Sequence, residues 1–338
     1  MPVNPMKKLR WGILSTARIA TQKVIPAIQS SRFGEVTAIA SRDPGNASRI
    51  ADQCGIPACC ASYEALLQDD QVEAVYIPLP NHLHIRWAIR ALSAGKHVLC
   101  EKPLAMSAND AERLVSASAK NPTLKIAEAF MYRHHPQWTL TRSLVRQGQI
   151  GALQNIHVYF AYHNVDPTNI RNQLALGGGA LMDIGCYGIS VARWLFGRDP
   201  IRVNAQMKRD PKFRTDVLTT FQMDFTSGTA TVTCGTQSHR HQLVTVLGSK
   251  GRITLPLPFN APPDQNMQAE HEHDLGHTIH TLNAADQYAL QCDHFAQAVW
   301  EDKPLLTPLG DAVRNMRVID ACVASASSGR WVEPRSYT

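Results

Sequence analysis

Two short stretches of this sequence hold side chains that could move a proton. Glu101-Lys102-Pro103 puts a lysine just after the apolar run His97-Val98-Leu99-Cys100. Further on, Gly177-Gly178-Gly179-Ala180-Leu181-Met182-Asp183-Ile184-Gly185-Cys186-Tyr187 puts an aspartate and a tyrosine four apart, hence on one face of a helix. A lysine next to a tyrosine favours the phenolate, so the two can act as a proton relay. A strand–turn–helix unit near the N-terminus offers a cofactor site. Together these features point to hydride transfer with a nicotinamide.

That turn is Gly12-Ile13-Leu14-Ser15-Thr16-Ala17-Arg18-Ile19-Ala20. The usual dinucleotide fingerprint has three glycines, and here Ser15, Ala17 and Ala20 take their places. Small residues still permit close backbone approach, and the helix N-terminus still attracts a diphosphate. The second strand ends in Ala40-Ser41-Arg42-Asp43. An NAD site puts a carboxylate there for the ribose hydroxyls, whereas an arginine suits a 2′-phosphate. Ser41 can donate a hydrogen bond, and Arg42 can pair with the phosphate while stacking on adenine. This favours NADP, while Asp43, one or two places late for the NAD role, keeps that option open.

The elements that must position these groups alternate over the first third. Strands are expected at Leu9–Leu14, Val36–Ala40, Val72–Ile77, Val98–Cys100 and Leu124–Ala129. Between them, helices are expected at Ile19–Ser30 with a break at Pro26, at Pro44–Cys54, at Tyr63–Leu67, at His84–Ala94, and from Ser107. Strands spaced by helices predict an α/β fold with a doubly wound parallel sheet over 1–128. Residues 129–338 read as an α+β domain with an open, largely antiparallel sheet. A helix is expected over Pro136–Arg146 and a strand over Asn155–Val165, with Ile156, Val158, Phe160 and Tyr162 on one face. Hairpins are expected at 217–235 and 243–257. Residues 258–280 are rich in Pro, Asn and His and read as a long loop, and helices close the chain at Ala285–Trp300 and Asp311–Ala324.

These segments resemble the Gfo/Idh/MocA oxidoreductases along nearly the whole chain. The matching stretches are the turn at 12–20, Ile77-Pro78-Leu79-Pro80-Asn81-His82-Leu83-His84, Ala94 to Pro103, Met131-Tyr132-Arg133-His134-His135-Pro136, and Gly177 to Tyr187. The Ser-Thr-Ala-Arg turn is similar to that of the branch holding NADP-dependent xylose dehydrogenases and dimeric dihydrodiol dehydrogenases. The resemblance implies a Rossmann domain for residues 1–128 and a substrate-binding and oligomerisation domain for 129–338. It implies that Lys102 is the catalytic lysine, with a cis bond to Pro103, and that Asp183 and Tyr187 complete the catalytic site. It also implies that Ser15, Thr16, Ala17, Arg18, Ile19, Ser41 and Arg42 bind the cofactor, and that Leu79, Pro80, Asn81 and His84 line the nicotinamide ribose. Glu101 and Lys102 would lie nearby, with Arg171 at the cofactor–substrate junction. The activity implied is NADP(H)-dependent oxidation or reduction of a sugar or cyclic diol. Keto-sugar reduction, redox-neutral glycoside cleavage with bound NAD, and a dinucleotide-sensing regulator are the family's alternatives.

Composition limits the rest. Of the 338 residues, 44% are hydrophobic and 18% charged, which fits a globular protein of two domains. The net charge of +6 comes without a dense basic run, so a nucleic-acid partner is not expected. The eight cysteines form no CxxC pair and read as reduced thiols of a cytoplasmic protein. No membrane span is expected. His271, His273, His277 and His280 have the spacing of metal ligands, but without a strand or helix to fix them no metal is expected. A homodimer or homotetramer through the open sheet face is expected, since helices of one chain cover only one face.

Overall fold

The computed structural model describes residues 7–274 and 276–335. The chain forms two compact units, and neither is continuous in sequence. The first runs to Ala105, resumes over Asp110–Met131 and takes in Asp286–Ala312; the second comprises Met106–Asn109, Tyr132–Ala285 and the chain from Val313.

The first unit holds a six-stranded parallel sheet. Its strands are β1 (Leu9–Leu14), β2 (Gly34–Ala40), β3 (Ala58–Cys60), β4 (Ala74–Ile77), β5 (His97–Cys100) and β6 (Ile126–Glu128), in the order β3-β2-β1-β4-β5-β6. The order reverses between β1 and β4, the place where open α/β sheets bind ligands beyond their strand ends. Strand β3 has no counterpart in the sequence reading. It is three small residues long and gains its identity only by pairing with Ala38–Ala40 of β2. The helix expected over Ile19–Ser30 divides into a π-helical turn, Ala20–Val24, and α1, Ile25–Ser30. Pro26 sits in the first turn of α1, where its missing N–H costs nothing within α1 but interrupts bonding to the turn before it.

Local chemistry fixes the other helices. Asp43 caps α2 (Pro44–Cys54), its carboxylate accepting from the Asn46 N–H at 3.1 Å, and the helix stops at Gly55 in the left-handed region. Ser62 caps α3 (Tyr63–Leu67), and α4 (Asn81–Ser93) follows Pro80. Helix α5 spans Ala108–Ser118, and α6 spans Pro136–Arg146, capped by His135.

The second unit is built on an eight-stranded sheet. Its strands are β7 (Leu153–His163), β8 (Arg202–Arg209), β9 (Asp216–Phe225), β10 (Gly228–Gly235), β11 (Gln237–Gly248), β12 (Gly251–Leu255), β13 (Met267–His273) and β14 (Gly276–Leu282). The order is β14-β13-β12-β11-β7-β10-β9-β8, and β7–β10 is the one parallel pair among these strands. Along β9 burial alternates strictly: Val217, Thr219, Phe221 and Met223 point inward, Leu218, Thr220 and Gln222 outward. Helix α7 (Cys186–Phe196) covers the inner face so closely that a Cβ on Gly188 would lie 2.5 Å from Val232 of β10. The apolar stretch Leu174–Phe196, interrupted at Gly177–Gly179, is mostly buried inside the protein, as befits a core segment.

One sequence expectation is corrected. Much of 258–280 is not a loop, because β13 and β14 pair antiparallel from Met267↔Leu282 to His273↔Gly276. Its inward positions are Met267, Ala269 and His271, so the buried face carries too little apolar character to show in a hydrophobic pattern. Helix α8 (Gln287–Trp300) packs as part of the first unit. Its Phe295 ring lies 5.2 Å from Trp11 of β1, and its Asp293 accepts the Phe33 N–H at 2.9 Å. The last helix, α9, spans Leu309–Ser328.

Candidate active site

At the C-terminal end of β1 the first unit encloses a cavity of about 290 Å³. Ser15, Thr16 and Ala17 form one wall, Ser41 and Arg42 another, and Leu79 and Pro80 a third. Ser15, at the first fingerprint position, has φ +140°, a conformation that favours glycine. Its hydroxyl accepts the Ala17 N–H at 3.1 Å, which holds the turn in that shape.

The polar groups of this cavity form one network. Thr16 Oγ1 lies 3.5 Å from Ser41 Oγ and accepts from Asn46 Nδ2 at 2.6 Å. Ser41 Oγ also accepts the Asp43 N–H at 3.3 Å. Asp43 also lines the cavity, and its Oδ1 is engaged capping α2. Arg42 is exposed at the rim as the cation of the site. Asn46 and Tyr63 also line it, and neither is apparent from motif spacing. Burial pushes the Tyr63 phenol up, so it stays neutral beside Ser15 and Arg42.

Lys102 sits on a loop clamped from three sides of the first unit. The Tyr76 hydroxyl donates to Glu101 Oε1 at 2.6 Å, and Glu101 Oε2 accepts the Lys102 N–H at 3.2 Å. Glu128 Oε1 accepts the Leu104 N–H at 2.8 Å. His84, fully buried, turns Nδ1 to the Pro103 carbonyl at 2.9 Å and Nε2 to the Leu79 carbonyl at 2.7 Å. Burial lowers the His84 pKa to about 4. The Lys102–Pro103 bond is cis.

This corrects one expectation. His84 does not line the cavity but is buried and holds the loop that carries Lys102; Glu101 lies beside Lys102 and braces the same loop. Both His84 nitrogens and Glu101 Oε2 face backbone, because the loop leaves N–H and carbonyl groups that need partners. The cavity also leaves out Arg18, Ile19 and Asn81, which open the flanking helices.

In the second unit Asp183 lies in a π-helical turn, Leu181–Gly185, that leads into α7, and Tyr187 lies in the first turn of α7. The aspartate is 9% exposed. Its Oδ2 accepts from the Tyr162 hydroxyl at 2.6 Å and from Arg171 Nε at 2.9 Å. Arg171, expected at the cofactor–substrate junction, is thus ion-paired with Asp183. Tyr162 appears in the sequence only as one of four residues on a strand face. The Tyr187 ring is buried against Phe259 at 5.1 Å, Phe160 at 5.6 Å and Tyr132 at 5.7 Å. A Cβ on Gly178 would lie 2.5 Å from the Arg171 carbonyl oxygen, so close approach requires glycine there.

Among the described residues no group of three His, Cys, Asp or Glu side chains is arranged to hold a metal ion. His271 and His280 instead stack at 5.9 Å on the β13–β14 pair.

Residues 9–128 match the NAD-binding Rossmann fold of the Gfo/Idh/MocA oxidoreductase family, and residues 142–333 match that family's C-terminal alpha/beta domain. An oxidoreductase of Rhizobium meliloti, ORF334, is 41% identical over 334 residues, covering 96% of this chain and 99% of its own. A D-xylose 1-dehydrogenase (NADP+) of Haloferax volcanii is 38% identical over 327 residues, covering 96% of this chain and 99% of its own. KijD10, a 3-ketoreductase from Actinomadura kijaniata solved in complex with NADP and TDP-benzene, has a TM-score of 0.88 at 33% identity, covering 94% of this chain and 98% of its own. That reductase has also been solved with a lysine changed to alanine or glutamate and with a tyrosine changed to phenylalanine. With both domain types matched in order over most of its length, this chain belongs to the Gfo/Idh/MocA family of oxidoreductases.

Proposed function

We propose that this protein is an NADP(H)-dependent oxidoreductase that interconverts a hydroxyl and a carbonyl on a sugar or cyclic diol. The observation that carries the cofactor choice is Arg42, the cation lining the cavity at the end of β2; Asp43 lines it too, but with Oδ1 engaged as the cap of α2. A 2′-phosphate fits that arrangement better than a bare ribose. The cavity's serine and threonine hydroxyls and the small residues at 15–17 fit a dinucleotide diphosphate. NADP(H) bound there supplies the hydride acceptor or donor. The activities named for the xylose dehydrogenase and the 3-ketoreductase support a sugar as the partner substrate.

The chain's own residues supply the proton chemistry. In the oxidation direction the Tyr187 hydroxyl, as phenolate, takes the proton from the substrate hydroxyl. Lys102 stabilises that phenolate and polarises the same oxygen. Asp183, gripped by Tyr162 and Arg171, orients the substrate through a second hydroxyl. Reduction of a keto sugar runs these roles in reverse. The aromatic packing of Tyr187 supports the assignment, since a proton-transfer group must hold its place.

We also assign the protein to a reducing, cytoplasmic setting, which its eight free cysteines favour, and to an oligomer formed through the outward face of the second unit's sheet. Sedimentation over a concentration series tests the oligomer, and a concentration-independent monomer refutes it. The activity test is a panel of pentoses, hexoses and diols with each cofactor, read by nicotinamide absorbance. Turnover with NADP and a polyol supports the proposal. Retained cofactor with product formed and no net absorbance change points to the redox-neutral alternative.

A further inference from the structure

The Asp183 carboxylate receives two donors on the same oxygen, and one of them is a residue no motif marks. Tyr162 projects from β7, and its hydroxyl meets Oδ2 at 2.6 Å. Arg171 Nε reaches that oxygen at 2.9 Å from the short helical turn Ile170–Asn172. A strand and a separate turn of the same unit therefore hold one carboxylate oxygen from two directions. Two donors on one oxygen fix both the torsion of the carboxylate and its place on the π-helical turn. A single flexible contact would fix neither. A phenol is suited to this because its donor stands on a rigid ring with two torsions, so little freedom is lost in aiming it.

We infer that Tyr162 is a positioning residue for catalysis, acting through Asp183 and paired in that task with Arg171; this rests on the placement of Asp183 in the catalytic site. Tyr162 is not itself the proton-transfer group. Burial, then the neighbouring Asp183 charge, push its phenol far above the usual range, so it donates at every working pH. Two tyrosines therefore have separate duties in this unit: Tyr162 keeps its proton and aims the carboxylate, and Tyr187 exchanges a proton with substrate.

The test is a double-mutant cycle on the full-length protein with its best sugar substrate and NADP. Tyr162→Phe removes one oxygen atom and keeps the ring. It should lower kcat/KM roughly 10- to 100-fold, as loss of a hydrogen bond to a charged group does. NADP(H) affinity should stay within about twofold, since the cofactor cavity lies wholly in the first unit. In the Asp183→Asn background the same change should add almost nothing, because its target is already altered. Arg171→Lys should show the same non-additivity, which secures the test if Tyr162→Phe proves unstable. Near-normal kcat/KM for Tyr162→Phe, or losses that multiply with Asp183→Asn, overturn the inference while leaving Asp183 in place. Near-normal turnover of Asp183→Asn itself overturns the placement of Asp183, and the inference with it.

Discussion

Replacing Arg42 with alanine separates the two cofactors. In the structure Arg42 is the exposed cation at the rim of the cofactor cavity, and Ser41 beside it is held by the Thr16–Asn46 network. A hydrogen bond to a charged partner contributes about 1.5–3 kcal/mol, and rim exposure puts Arg42 at the lower end. NADP should therefore bind roughly 10-fold more weakly in Arg42→Ala, and 100-fold is an upper bound. NAD has no 2′-phosphate, so its affinity should change less than about twofold. Asp43→Ala is the control. It removes the α2 cap and should cost about 0.5–2 kcal/mol of stability, yet leave the NADP/NAD ratio in place. The assay is fluorescence titration of each reduced cofactor into wild type and both variants at low and high salt. The wild-type preference should narrow as salt rises, because an exposed charge pair is screened. Equal losses for both cofactors in Arg42→Ala would refute the reasoning. Collapse of NAD binding alone in Asp43→Ala would show that the carboxylate reads ribose after all.

Lys102→Ala should lower turnover by orders of magnitude with NADP binding largely kept, and Tyr187→Phe should cost on the order of 10²–10⁴-fold; the losses should not multiply in the double mutant. Near-normal turnover of Tyr187→Phe would make Tyr187 structural and hand proton transfer to Lys102. Phe295→Ala, at a position 1% exposed against Trp11, should cost about 3–5 kcal/mol in chemical denaturation, and a loss below about 1 kcal/mol would mean that α8 is not part of the first unit's core. His135 is fully buried, its Nδ1 accepts the Gln137 N–H, and burial lowers its pKa from 6.5 to about 4. The unfolded chain therefore binds the extra proton first, and stability should fall as pH drops from about 6.5 to 4, by up to about 3 kcal/mol from this group. Melting curves of His135→Asn across that range should show a shallower fall, and an unchanged slope would exclude His135 as the cause.

The parallel sheet was legible because its strands are short apolar runs separated by capped helices. Leu9–Leu14, Pro44–Cys54 and Tyr63–Leu67 fall where the sequence puts them. Strand β8 and the β13–β14 pair escaped because polar residues interrupt any run of apolar ones, and pairing rather than hydrophobicity makes them strands. The residue types of the site were legible as motifs, but the directions of the side chains were not. Glu101 and His84 stand within motifs yet turn toward backbone, and only the fold shows which carbonyls and N–H groups needed them. Tyr162 was invisible for a related reason: its partner Asp183 is 21 residues away, and no local spacing relates the two.

The placement of α8 has a consequence for how the chain is made. The sheet holding Trp11 is synthesised first, but the helix that covers it, with Phe295, emerges after all the strands of the second unit. That second unit in turn needs the residues from Val313 onward. A nascent chain that stops short of Ala312 therefore has two incomplete cores, and the usual order of N-terminal domain first is closed to it. Until then the uncovered face of Trp11 and its neighbours is a surface for a chaperone to occupy. A truncation at residue 128 would release a Rossmann sheet with that same face exposed to water, and it should aggregate rather than bind cofactor.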